Sequence, residues 1–196
     1  MPSTTRFTRR LSGPRRFLPA LLAGGVLAAS AVAVPAAHPD DPNIRSAIGR
    51  AVGYLKGRAK NAQPGYGSLV AYALMKAKVP PTDPDVAAAM TKILRKIEGN
   101  NGVYTAPSHD IYEAGVDLMA LEAADPEKYK PQIEQIVKFI LKHQLANGSW
   151  DYPGGSNGGD TSITQYALLG LWAAARAGVK VADDVWSRAA KWYLNY

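Results

Sequence analysis

The chain has 196 residues, 47% of them hydrophobic and 20% charged, the proportions of one sizeable folded domain or of an array of small repeats. It contains no cysteine, which excludes structural disulfides, thiolate zinc sites, a cysteine nucleophile and a lipidated N-terminal cysteine. The formal charge of +7 is concentrated in Arg6, Arg9, Arg10, Arg15 and Arg16 of an acid-free stretch, residues 1–37, so the remainder carries +2 and gives little footing for nucleic-acid binding.

Residues 1–37 run from that basic region through the apolar stretch FLPALLAGGVLAASAVAV to small residues, the layout of a secretory signal peptide with cleavage after Ala33, Ala36 or Ala37. The alternative is an uncleaved anchor, since 18 apolar residues can just span a bilayer, although the Gly, Ala and Pro content makes a weak one. The expectation is an exported protein, periplasmic or secreted, with no stable membrane anchor once the signal is removed.

From residue 40 onward the chain is punctuated by helix signals. Asp41-Pro42, Asp83-Pro84 and Asp125-Pro126 each place a capping acid before a proline at a first helical position. Gly99, Gly148 and Gly178 follow apolar-periodic runs, as C-terminal glycines do. Between these marks apolar residues recur at three- and four-residue spacings, which predicts helices over 43–60, 67–79, 84–98, 109–124, 128–145, 161–177 and 183–195. No alternating strand pattern competes, so residues 38–196 are predicted to be all-α.

The predicted helices repeat. Val52-Gly-Tyr-Leu, Thr91-Lys-Ile-Leu, Val137-Lys-Phe-Ile and Ala190-Lys-Trp-Tyr occupy equivalent places, and so do YALM at 72, VDLM at 116 and YALL at 166. A period of roughly 40–50 residues with two helices per unit is the signature of stacked helical hairpins, none of which can bury its apolar face alone. The turn within each hairpin also repeats, pairing Lys60 with Tyr66, Glu98 with Tyr104, and Gln144 with Trp150, each aromatic six residues after the polar residue. Gly and Asn between them, Gly148 among them, accept the positive φ of a sharp turn. The polar side chain is then free to bond helix-end backbone while the ring seals the gap to the next hairpin.

QLANGSW at 144–150 resembles the Gln-x5-Trp repeat of the squalene-hopene and oxidosqualene cyclase superfamily, which includes the protein prenyltransferase β-subunits. GGDTSITQYALLGLWAA is similar to the inner helix that follows that turn in the family. The resemblance covers roughly residues 43–196 and implies part of an α/α toroid: three hairpins plus the first helix of a fourth. The sequence stops where the pattern calls for another turn, so the expectation is a truncated array or an edge covered by another chain. Hopene cyclases protonate substrate with Asp-x-Asp-Asp-Thr; here only Asp160-Thr161 remains. Prenyltransferases of this fold hold zinc through Asp, Cys and His, and the absence of cysteine excludes that site, so no metal and no cofactor is expected.

Three sets of residues are candidates for chemistry. Asp160 is either a catalytic acid or, with Thr161 or Ser162, the cap of helix 161–177, where Ser162 and Gln165 fit a capping box; the capping reading is preferred. His109, Glu113 and Asp117, with Asp110 adjacent, share one stripe of helix 109–124, fit for a divalent metal, for a general acid with raised pKa, or for a partly solvated polar face, the last being preferred. Tyr72, Tyr112, Tyr166 and Trp172 either line an apolar cavity or belong to the core, and His143 suits a helix C-terminus. The function expected is a non-catalytic binding or scaffold domain, with an apolar small molecule or an extracytoplasmic protein as partner. The alternatives are a terpene cyclase-like enzyme acting on a polyprenyl substrate and an extracellular polysaccharide-active enzyme.

Overall fold

A computed structural model describes residues 38–195 apart from 39, 60, 61, 63, 64, 107–109 and 157; the signal-peptide reading, Lys60 and His109 lie outside the described residues. Every regular element among them is helical: α1 (Pro42–Ala59), α2 (Tyr66–Lys76), α3 (Pro84–Glu98), α4 (Asp110–Ala124), α5 (Lys130–Lys142), α6 (Thr161–Arg176) and α7 (Asp183–Asn195). The protein is all-α, and its helical-repeat character follows from how the elements pack. Consecutive helices lie against one another, α2, α4 and α6 pack side by side in one row, and α1, α3 and α5 form a second row behind them. No helix among the described residues is long and apolar enough to cross a membrane.

Helix α4 is the centre. It touches α2 and α6 within its own row and α3 and α5 behind it, and residues Glu113 through Leu121 are buried without a break. A helix buried on every side needs close neighbours, and small residues provide them. Gly115 of α4 meets Gly170 of α6 with the backbones in contact: a methyl on Gly170 would come within 2.6 Å of the Gly115 Cα, and one on Gly115 would overlap the Tyr166 carbonyl. The outer α3 and α5 instead show one-sided patterns, burying Val86, Ala89, Met90, Ile93 and Ile97, and Ile133, Ile136, Val137 and Ile140.

The helix ends depart from expectation in places with identifiable causes. Asp83 caps α3 as predicted, accepting from Asp85 N at 3.1 Å. Asp125 accepts from Lys128 N at 3.0 Å and so caps a separate turn at 126–129, before α5 begins at Lys130. Gly99 keeps a right-handed φ of −68°, and the positive φ needed to leave α3 falls on Asn101 and Gly102. Helix α2 stops at Lys76, three residues short of the predicted end, because Lys78 enters the left-handed region at φ 68°.

Candidate functional site

The Gln144–Trp150 turn joins three helices. Trp150 is fully buried; its indole N–H donates to Ile140 O of α5 at 2.8 Å, and its backbone N–H donates to Thr164 Oγ1 of α6 at 3.0 Å. The Trp150 carbonyl accepts from Asp160 N at 2.8 Å and from Thr164 Oγ1 at 3.1 Å, fixing the start of α6. Gln144 Nε2 donates across the turn to Gly148 O at 2.9 Å and onward to Val185 O of α7 at 3.2 Å, while its Oε1 accepts from Arg188. Gly148 has a φ of 96° and lies so close to the Arg188 carbonyl of α7 that any Cβ would overlap it.

The preceding turn departs from that pattern. Tyr104 is as buried as Trp150, but Glu98 is exposed and makes no hydrogen bond among the described residues, so the polar half of the unit is missing there. In the first turn Tyr66 is 59% exposed, where Tyr104 and Trp150 are buried. Among the described residues, the interlocking turn predicted for the hairpins is complete at Gln144–Trp150.

Tyr104 serves another purpose: its hydroxyl donates to Asp117 Oδ2 at 2.8 Å. Asp117 is wholly buried on α4, and Ser68 Oγ of α2 donates to its other oxygen at 2.5 Å. Lys96 Nζ of α3 reaches in to bridge Asp117 Oδ2 at 2.7 Å and Glu113 Oε2 at 3.0 Å. Glu113, one turn before Asp117 on α4, is 1% exposed and lies beneath the turn at Gly65, where a Cβ would come within 2.9 Å of its Cγ. Five side chains from α2, α3, α4 and the turn after α3 thus meet at one point inside the protein.

The partly solvated face offered for Glu113 and Asp117 is therefore corrected: both are core residues. Burial raises the Asp117 pKa above the ordinary carboxylate value, opposed chiefly by the Lys96 charge and then by the Lys96, Ser68 and Tyr104 hydrogen bonds. Burial, followed by the Asp117 charge, pushes the Tyr104 phenol well above its ordinary value. The Lys96 ammonium reaches both carboxyls, and charges held this far from water depend on such partners.

Lys96 and Ser68 were missed by the sequence reading. A signal existed for Lys96: it falls three residues after Ile93 on the stripe that buries α3, a register otherwise occupied by apolar side chains. Nothing local marks Ser68, which acquires its role only when α2 packs on α4.

Asp160 is the N-cap of α6. Its Oδ1 accepts from Ser162 Oγ at 2.5 Å and Ile163 N at 2.9 Å, and these bonds, Ser162 first, hold its pKa below the ordinary value. Ser162 is thus a donor to the cap rather than the cap of a Ser162–Gln165 box. An acid stabilised as its anion in this way is poorly suited to protonate carbon.

The four predicted lining aromatics fall into separate settings. Tyr112 and Tyr166 pack ring to ring across α4 and α6 with centroids 4.2 Å apart, and burial with the Tyr166 hydrogen bond raises the Tyr112 pKa to about 12. Tyr72 is half-buried with the Lys76 ammonium 5.0 Å from its ring centroid. Trp172 is exposed under Arg176 and joins Leu168, Leu169, Trp186, Ala190 and Tyr193 in an open apolar groove of about 620 Å³ between α6 and α7.

A second concavity, of about 200 Å³, is lined by Asp110, Ile111, His143, Leu145, Asp151, Tyr152, Pro153 and Gly154. His143 caps the end of α5, its Nδ1–H donating to Phe139 O at 2.8 Å, which leaves Nε2 as the acceptor nitrogen when the ring is neutral. Among the described residues no group of three or more His, Cys, Asp or Glu side chains is placed to hold a metal ion. No protein-family model, curated protein or solved structure matches this chain.

Proposed function

We propose that the chain is an exported helical-repeat domain of terpenoid-cyclase-like α/α architecture that acts by binding rather than by catalysis. One observation carries this reading: the three acids that could serve a cyclase are committed to structure, with Glu113 and Asp117 buried against Lys96 and Asp160 capping α6. A cyclase acid must present a proton to an apolar substrate in a cavity, and none of these three lines the α6/α7 groove. That groove, with Trp172 and Trp186 on its walls, suits an apolar small molecule or an apolar segment of an extracytoplasmic protein.

The test is tryptophan fluorescence of the folded chain titrated with farnesol, alongside overnight incubation with squalene followed by product extraction. Binding predicts saturable quenching that weakens in Trp172→Ala and Trp186→Ala, with squalene recovered unchanged. Cyclised product would overturn the non-catalytic reading, and titration without saturation would overturn the apolar-ligand reading.

The Asp110/His143/Asp151/Tyr152 concavity favours a second reading, action on an extracellular polysaccharide, because it brings two carboxyls, an imidazole and an aromatic ring around one small space. Release of reducing ends from soluble glycans, lost in Asp151→Asn, would establish it in place of the first.

A further inference from the structure

The buried cluster holds an amine against two carboxyls at hydrogen-bond distance, out of reach of bulk water. Lys96 Nζ lies 2.7 Å from Asp117 Oδ2 and 3.0 Å from Glu113 Oε2, and the two carboxyls are 0% and 1% exposed. Lys96 is itself only 12% exposed, so little water reaches the contact. We infer that this is a covalent cross-linking site, at which Lys96 and Asp117 condense to a side-chain amide joining α3 to α4, with Glu113 carrying the protons.

The step balances with no external reagent. It begins with Lys96 as ammonium, Glu113 as carboxylate and Asp117 as the acid, the form that burial favours for Asp117. Glu113 Oε2 takes a proton from Nζ, and the freed amine attacks Asp117 Cγ, forming the Nζ–Cγ bond. Negative charge develops on Oδ2, where the Tyr104 hydroxyl already donates at 2.8 Å and acts as an oxyanion donor. The Cγ–Oδ1 bond then breaks. Oδ1, 2.5 Å from Ser68 Oγ, leaves as water after receiving a proton from Glu113, which recovers one from Nζ. Glu113 ends protonated, the amide keeps one hydrogen on nitrogen, and one water is lost.

Two further observations favour the bond. Proton transfer from ammonium to carboxylate is costly in water but becomes easier inside a protein, where the charged pair loses its hydration. Reactants held at hydrogen-bond distance also have the orientational entropy of the encounter already removed. A chain without cysteine that is read as exported lacks disulfides, and an amide between residues 96 and 117 would close the same kind of loop. This inference does not depend on the binding role proposed above, since the bond could form in an enzyme or a scaffold alike.

The test is peptide mapping by mass spectrometry of the full folded chain after denaturation and trypsin digestion. The expected result is a single peptide spanning Lys96–Lys128, uncleaved after Lys96 and looped internally through the amide to Asp117, one water lighter than its linear mass. Glu113→Gln, nearly isosteric, should fold by circular dichroism yet give the linear peptides, as should Asp117→Ala if it folds. Linear peptides with normal cleavage after Lys96 from folded wild-type chain would overturn the inference. A complete link in Glu113→Gln would overturn the role given to Glu113.

Discussion

Truncating Trp150 to alanine tests how far the turn after α5 holds the hairpins together. The indole is fully buried and its N–H donates to Ile140 O at 2.8 Å. Large-to-small changes of a buried Trp cost about 3–5 kcal/mol through lost transfer energy and the cavity left behind. Ile140 O also accepts from His143 N at 3.1 Å, so losing the indole donor does not orphan it, and that part of the loss is near 1 kcal/mol. Trp150→Phe, which keeps a ring in the site, should therefore cost roughly 1–2 kcal/mol, well below the alanine value. For a domain of this size 3–5 kcal/mol corresponds to a drop in melting temperature of roughly 6–20 °C. Urea and thermal unfolding followed by far-ultraviolet circular dichroism measure both variants. A cost below about 1 kcal/mol for Trp150→Ala would refute the claim that this ring seals consecutive hairpins.

The central crossing makes a second prediction: Gly170→Ala gains about 1 kcal/mol of helix propensity but forces a methyl to within 2.6 Å of the Gly115 Cα, so equilibrium unfolding should show net destabilisation of about 1–3 kcal/mol. Lys96→Met leaves the Glu113 and Asp117 carboxyls buried without the Lys96 side chain that bridges them and should cost about 3–5 kcal/mol near neutral pH. Without Lys96 the buried Asp117, its pKa already raised by burial, loses its chief opposing charge and favours its acid form in the native state, which then binds more protons than the unfolded chain. The variant's stability should accordingly fall as pH rises through the ordinary carboxylate range, measured by urea unfolding across pH. Asp160→Ala removes the α6 cap and should cost about 0.5–2 kcal/mol at neutral pH. Because the folded Asp160 pKa is lowered, its contribution is present above the unfolded carboxylate value and lost as pH falls through the folded one; wild-type and variant unfolding curves should converge in acid.

The helices were legible because each is written twice, once in apolar spacing and once in its ends. Asp83-Pro84 set the start of α3 to the residue, and Gly178, at φ 74°, follows the end of α6 as a C-terminal glycine should. Where two signals compete the boundary moved: Asp125-Pro126 reads like Asp83-Pro84, but the turn it opens closes on itself and α5 begins later. The site was legible only in part. Asp160 before an apolar run could be recognised as a cap because capping is a local event. The fate of Glu113 and Asp117 is not local: whether that stripe faces water depends on α2 and α3 closing over it. That closure uses Ser68, 49 residues before Asp117, and Lys96, 21 residues before it. Charged residues on an amphipathic stripe default to solvent, and only an unexpected Lys in an apolar register signalled otherwise.

The most direct test of the architecture is native-state hydrogen exchange resolved by residue. Helix α4, enclosed by α2, α3, α5 and α6 and buried from Glu113 to Leu121, should hold the slowest-exchanging amides, released only by global unfolding. Helix α1, most of whose side chains are exposed, should exchange much faster through local opening. Exchange of α4 at the rate of α1 would contradict a stack of hairpins centred on a buried helix.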